Sequence, residues 1–157
     1  MIIIIDGNNL IGQKIKSSSW ATLRKNLVLK MVKYVAKTRK KVKIVFDGVE
    51  DNLCPDGAAF KGVKIFYAKA GHSADDRIKD MVRTASYSRD ITVVSSDREL
   101  RSCVSSFGAK VISREAFRSE LSQIDSIAEN ETKDPNPKIE DVSEWLEFFG
   151  INNRDKI

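Results

Sequence analysis

A chain of 157 residues, 41% hydrophobic and 31% charged, has the size and composition of one soluble globular domain with a real core. No apolar run approaches the ~20 residues that cross a bilayer. The opening isoleucine run is too short for a signal-peptide core and meets Asp6 at once, so the expectation is a cytoplasmic protein with no membrane partner.

The net charge of +5 hides an asymmetry. Residues 1–124 carry 23 Lys and Arg against 13 Asp and Glu, whereas residues 125–157 carry 4 against 9. A basic body suits a polyanionic partner, nucleic acid first, although lysine-rich surfaces also serve solubility alone. Cys54 and Cys103 lack the close spacing of a metal knuckle, and one histidine cannot complete a zinc set. Both read as reduced thiols without a role.

In chain order, Ile2 to Ile5 are β-branched and apolar on both faces, as a strand buried on both sides of a parallel sheet requires. The run ends in Asp6-Gly7-Asn8-Asn9, turn-forming residues that predict a polar loop and leave a carboxylate at the strand's carboxyl end. Ser17 to Ser19 offer N-caps to a helix starting near Trp20. Leu23, Leu27, Met31, Tyr34 and Val35 lie on its apolar face, with Arg24, Lys30 and Lys33 in the basic remainder. Val42 to Phe46 is a second strand, again ending in Asp-Gly at Asp47. Residues 49–61 read as a loop, and Gly62 to Tyr67 as a third strand.

Ser73 is a candidate N-cap for a helix reaching about Ser88, with Asp75 and Asp76 in its first turn, where the helix dipole favours acids. Ile91 to Val94 is a fourth strand running through Ser95 and Ser96 into Asp97. A helix over Arg98 to Ser106 follows, closed by Gly108. Residues 109–112 form a short fifth strand, and Ser113 caps a helix to about Ile124. Residues 125–138, polar and with two prolines, read as a linker. Ile139 to Phe149 reads as an amphipathic helix, with Val142, Trp145, Leu146 and Phe149 on one side, that should dock on the body or on a partner within a 139–157 segment. The body, residues 1–124, is thus an α/β domain of three layers (α/β/α) around a mostly parallel sheet of about five strands, ordered 3-2-1-4-5.

That order sets Asp6 and Asp97 across the switch-point crevice, with Asp47 one strand away and Asp75 and Asp76 at the next helix start. Each has a plain alternative: Asp47-Gly48 as a turn, Asp97 as a helix cap, Asp75 and Asp76 as dipole acids. Clustered carboxylates without Cys or His partners suit Mg²⁺ or Mn²⁺, which can acidify water and clamp phosphoryl oxygens. On a basic body this points to a metal-dependent enzyme acting on a phosphodiester. His72 lies beside the proposed site and reads as an ordinary loop residue, with a proton shuttle or a phosphate contact as the lesser alternative. No P-loop or dinucleotide glycine motif is present, and Asp6-Gly7-Asn8 lacks the second Asp of the Asp-x-Asp phosphatase pattern.

Four motifs, Ile4-Ile5-Asp6-Gly7-Asn8-Asn9, Val45-Phe46-Asp47-Gly48, Ser73-Ala74-Asp75-Asp76-Arg77-Ile78 and Val94-Ser95-Ser96-Asp97-Arg98-Glu99-Leu100, together resemble the NYN domain, in particular the YacP-like branch of the PIN-like nuclease superfamily. The resemblance implies an endoribonuclease that depends on a divalent metal. It implies metal ligation centred on Asp6, Asp75 and Asp97, with Asp76 a further candidate and Asp47 in the same acidic pocket, so the expected catalytic set is Asp6, Asp47, Asp75 and Asp97. Asn8, Asn9, Ser96, Arg98, Arg24, Lys30 and Lys33 are the expected substrate-binding residues. RNA is the expected partner and the ribosome a second one, since the branch includes ribosome-associated enzymes acting on mRNA. The rival expectation is a catalytically inactive RNA-binding or ribosome-associated adaptor.

Overall fold

A computed structural model describes residues 1–11, 20–48 and 55–131. The Ser17–Ser19 caps, Cys54, the later part of the expected linker and the expected helix at 139–149 lie outside those residues. The elements run β1 (Ile2–Asp6), α1 (Gly7–Ile11), α2 (Trp20–Thr38), β2 (Lys41–Phe46), β3 (Ala59–Phe60), β4 (Val63–Tyr67), α3 (Ala74–Arg83), β5 (Ile91–Val94), α4 (Arg98–Ser106), β6 (Lys110–Ile112) and α5 (Arg114–Glu131).

Their sheet order is β3-β4-β2-β1-β5-β6. The five parallel strands stand in the expected order, with β1 paired to β2 on one side and β5 on the other. The sequence reading had no place for β3, an antiparallel two-residue strand on the edge beside β4. Two residues have no periodicity to detect.

Strand alternation divides the core into two layers. Ile3, Ile5, Ile44 and Phe46 face α2 and α5 and pack with Leu27, Met31, Tyr34 and Phe117. Ile4, Val45 and Val93 face α3 and α4 and pack with Ile78, Val82, Leu100 and Val104. Ile3, Ile4 and Ile5 are all buried, each worth about 1.5–3 kcal/mol relative to exposure. The uninterrupted isoleucine run therefore serves both layers at once. Tyr34 and Phe117 meet edge-on at 5.3 Å, joining α2 to α5, and the Tyr34 hydroxyl donates to Glu120.

Three boundaries differ from expectation. The residues after Asp6 form the short helix α1 rather than a loop. Gly7 is needed there for space, since a Cβ would stand 2.5 Å from the Phe46 ring. Helix α3 stops at Arg83, where the Thr84 hydroxyl and N–H both turn back to the Asp80 carbonyl. Helix α5 continues past Ile124 to Glu131. Among the described residues no helix is long and apolar enough to cross a membrane.

Candidate active site

The parallel strands present their carboxyl ends along one edge, and the Asp residues gather there because each ends a strand or opens the helix that follows. Asp6 closes β1 at the centre of the sheet and is only 5% exposed. Its carboxylate Oδ1 accepts the Asn9 N–H at 3.4 Å. Burial, then the charge on Asp75, then that on Asp47 push its pKa up to about 7, against the opposing pull of the Asn9 N–H. Asp75 acts on Asp6 both by its charge and through its side-chain carboxyl, which favours the protonated form of Asp6. Asp75, in the first turn of α3, is likewise raised, by its burial and then by the charges of Asp97 and Asp47. Four expected residues thus form one electrostatic unit, in which Asp75 feels each of the other three.

Asp47 and Asp97 each also do a local job. The Asp47 carboxylate accepts the Ala74 N–H at 2.7 Å, which seats the start of α3 against the end of β2. Asp97 is the N-cap of α4 and accepts the Leu100 N–H at 2.9 Å. Capping and membership of the cluster coexist, because one carboxylate oxygen suffices for a cap. Lys79, one turn beyond Asp75, pairs with Glu99 at 3.3 Å and also acts electrostatically on Asp75.

Asp76 does not join them. It sits outward in a capping box with Ser73, accepting the Ser73 N–H while the Ser73 hydroxyl accepts the Asp76 N–H. That Ser73 N–H, in water, holds its carboxyl below the ordinary range. His72, 63% exposed, lies 3.7 Å from Asp76 and is outside the cluster as well. Successive helical residues are turned about 100° apart, so one of two adjacent aspartates faces in and the other out.

Asn8 and Asn9 act as ties. The Asn8 amide oxygen accepts the Asp47 N–H at 3.1 Å, and that of Asn9 accepts the Ser96 N–H at 3.0 Å. One dipeptide after β1 thereby fastens the ends of β2 and β5. The Ser96 hydroxyl is engaged as well: it donates to Glu115 at 2.9 Å and accepts the Arg114 N–H at 3.1 Å. Arg24 reaches under the site from α2. Its guanidinium lies 5.3 Å from the ring centres of both Phe46 and Tyr67 and donates to the Asp47 carbonyl at 3.0 Å. Of the residues expected to bind substrate, Asn8, Asn9, Ser96 and Arg24 thus spend these groups on the protein's own frame. Arg98 stands exposed in the first turn of α4. Lys30 and Lys33 border a groove of about 440 Å³ between α1, α2 and α5.

Two residues of the frame escaped the sequence reading. Arg114 and Arg118, one turn apart on α5, donate to the carbonyls of Asn9 and of Leu10 and Ile11, closing the carboxyl end of α1. Their i, i+4 spacing was the available signal. Nothing in the sequence named the acceptor.

Among the described residues no three carboxylate, imidazole or thiol groups are gathered closely enough to cage a metal ion as they stand. The tight unit is the Asp6–Asp75 pair. In donor chemistry the cluster still suits a hard dication: oxygen only, with two carboxyls raised by burial and then by the neighbouring negative charge.

The YacP-like NYN domain profile matches residues 3–147. Rae1 (YacP) from Bacillus subtilis is similar in structure, at 25% identity and TM-score 0.72 over 96% of this chain and 92% of that one. Its W164L mutant is similar at 25% identity and TM-score 0.70 over 94% and 91%. No curated protein sequence gave a match. A PIN-like α/β/α sheet with strand-end aspartates, and a profile match over most of the chain, lead to one conclusion: this protein belongs to the YacP-like NYN family of PIN-like nucleases.

Proposed function

We propose that the protein is a divalent-metal-dependent endoribonuclease. The observation that carries this reading is buried Asp6 and half-buried Asp75 together at the sheet's carboxyl edge, their carboxyls raised by burial and by the neighbouring carboxylates, Asp97 and Asp47 among them. Asp6, Asp75 and Asp97 would hold Mg²⁺ or Mn²⁺, and Asp47 would complete the acidic pocket. The bound ion would supply charge neutralisation at the phosphate and a more acidic water. With no ion bound, burial and the neighbouring carboxylates push Asp6 up to about 7, so binding of the ion would release its proton. The Asn8, Asn9 and Arg24 ties hold the strand ends in register, so the carboxylates keep their spacing. The basic body, with Arg98, Lys30 and Lys33 exposed, favours RNA as the polyanion.

Labelled RNA incubated with Mn²⁺ and wild type, Asp6→Asn or Asp97→Asn decides the matter. The expected result is cleavage by the wild type and a loss of about 100-fold or more in both variants. Equal cleavage by all three would sink the assignment.

A second reading, an RNA-binding or ribosome-associated adaptor with a vestigial pocket, is favoured by the missing ready-made cage among the described residues. It predicts normal RNA or ribosome binding by both variants and no metal-dependent product from any of the three.

A further inference from the structure

On the face of the sheet away from α3 and α4, helices α1, α2 and α5 leave a groove of about 440 Å³ between them. Its floor is apolar, and Ile11, Leu23, Leu29 and Leu121 are only half-buried there. Its rim is basic: Lys30, Lys33 and Arg118 stand exposed, and no acid lines it among the described residues. An apolar groove between helices, edged by cations, suits an amphipathic helix that carries acids. The chain itself holds such a segment. In Ile139 to Phe149, outside the described residues, Ile139, Val142, Trp145, Leu146 and Phe149 fall on one helical face and Glu140, Asp141, Glu144 and Glu147 on the rest. At about 100° per residue Asp141 comes to the margin of the apolar face, where a rim cation can meet it. The other stretches outside the described residues match less well. Residues 12–19 carry two lysines and no acid, and residues 49–54 are only six long.

The reach agrees. From Leu121 in the groove, α5 runs on to Glu131, a rise of about 15 Å at 1.5 Å per residue. Residues 132–138 then supply seven residues, within the usual length of a helix–helix connection. A helix from Ile139 to Phe149, antiparallel to α5, covers about the same 15 Å back to the level of Leu121. We propose that the groove between α1, α2 and α5 is the seat of segment 139–149 of the same chain, held as a helix antiparallel to α5. Its apolar face supplies the affinity. The charges set which segment binds and in what register, since exposed ion pairs contribute little by themselves. The inference stands apart from the nuclease reading. RNA reaching Lys30 and Lys33 would have to compete with this segment.

The test is amide hydrogen exchange on the whole protein, wild type against Leu29→Glu, which sets a charge into the groove floor from a half-buried position. So short a helix is marginal alone in water, so slow exchange over 139–149 reports docking. Expected in the wild type is exchange about 100-fold slower than in an unstructured peptide of the same sequence. Leu29→Glu should lose about tenfold or more of that protection, with the β1 amides unchanged. A segment unprotected in the wild type, or protection that survives Leu29→Glu intact, overturns the seat. If the β1 amides show that the variant does not fold, carbodiimide coupling of the wild type decides. Lys30 or Lys33 joined to Asp141 or another acid of 139–149 supports the seat, and coupling of those acids elsewhere or nowhere overturns it. The coupling is run on an equal mixture of ordinary and isotope-labelled protein. Products that join a labelled to an unlabelled chain would seat the segment on a second copy and overturn the assignment to its own chain.

Discussion

The end of β1 and the outer face of the first turn of α3 treat the same side chain in opposite ways. At the end of β1, Asp6 is withdrawn from water beside other carboxylates, and its pKa rises to about 7. On the outer face of α3, Asp76 stands in water against the Ser73 N–H, and its pKa falls. A carboxylate is thus charged or kept protonated by what surrounds it, and both surroundings are built at the same sheet edge. Asp75, Asp76's immediate neighbour, belongs with Asp6. A strained electrostatic centre beside a relaxed cap is what an ion-binding site needs: excess charge at one spot, held by a frame that is itself content.

The comparison can be broken most severely at Asp6. Its folded-state pKa of about 7 stands above the ordinary 3.8, so the native protein keeps a proton that the unfolded chain has lost between those values. The stability this contributes is fully present below about pH 4 and is lost as pH rises through 7. Asp6→Asn should remove that dependence. Metal-free, the variant should gain on the order of 3 kcal/mol relative to wild type between pH 4 and pH 8, read from urea melts at both values. A flat wild-type profile would show that Asp6 is not under strain.

Next comes the packing that sets Asp6 in place. Gly7→Ala pushes a methyl into the Phe46 ring and should destabilise by about 1–3 kcal/mol. It should also weaken Mn²⁺ binding by shifting the carboxylate, measurable by calorimetry.

On the relaxed side, Ser73→Ala removes the N-cap of α3 and should cost about 1 kcal/mol in thermal or urea unfolding. Cleavage should change only a few-fold, since Asp47 still holds the Ala74 N–H. The smallest effect belongs to Asp76→Asn, whose carboxylate is exposed and lies outside the cluster. Its cleavage rate should stay within about twofold of wild type, and a loss comparable to that of Asp6→Asn would place Asp76 in the site after all.

Much of the fold was written in local patterns. The β-branched runs ending in Asp read as parallel strands because burial on both faces requires such residues, and the five-strand order followed from the alternation of strands with helices. Strand-end position alone put Asp6, Asp47 and Asp97 on one edge, and the first turn of α3 put Asp75 with them. Tertiary structure decided the rest, because it depends on contacts between distant residues. Which of Asp75 and Asp76 faces inward is set by how α3 docks on the sheet. Whether Asn8 and Asn9 meet substrate or tie strands together depends on Asp47 and Ser96, 39 and 87 residues away. Arg24, a surface cation by periodicity, became an aromatic-stacked strut once Phe46 and Tyr67 came beneath it. Local pattern named the chemistry; packing chose which groups are free to perform it.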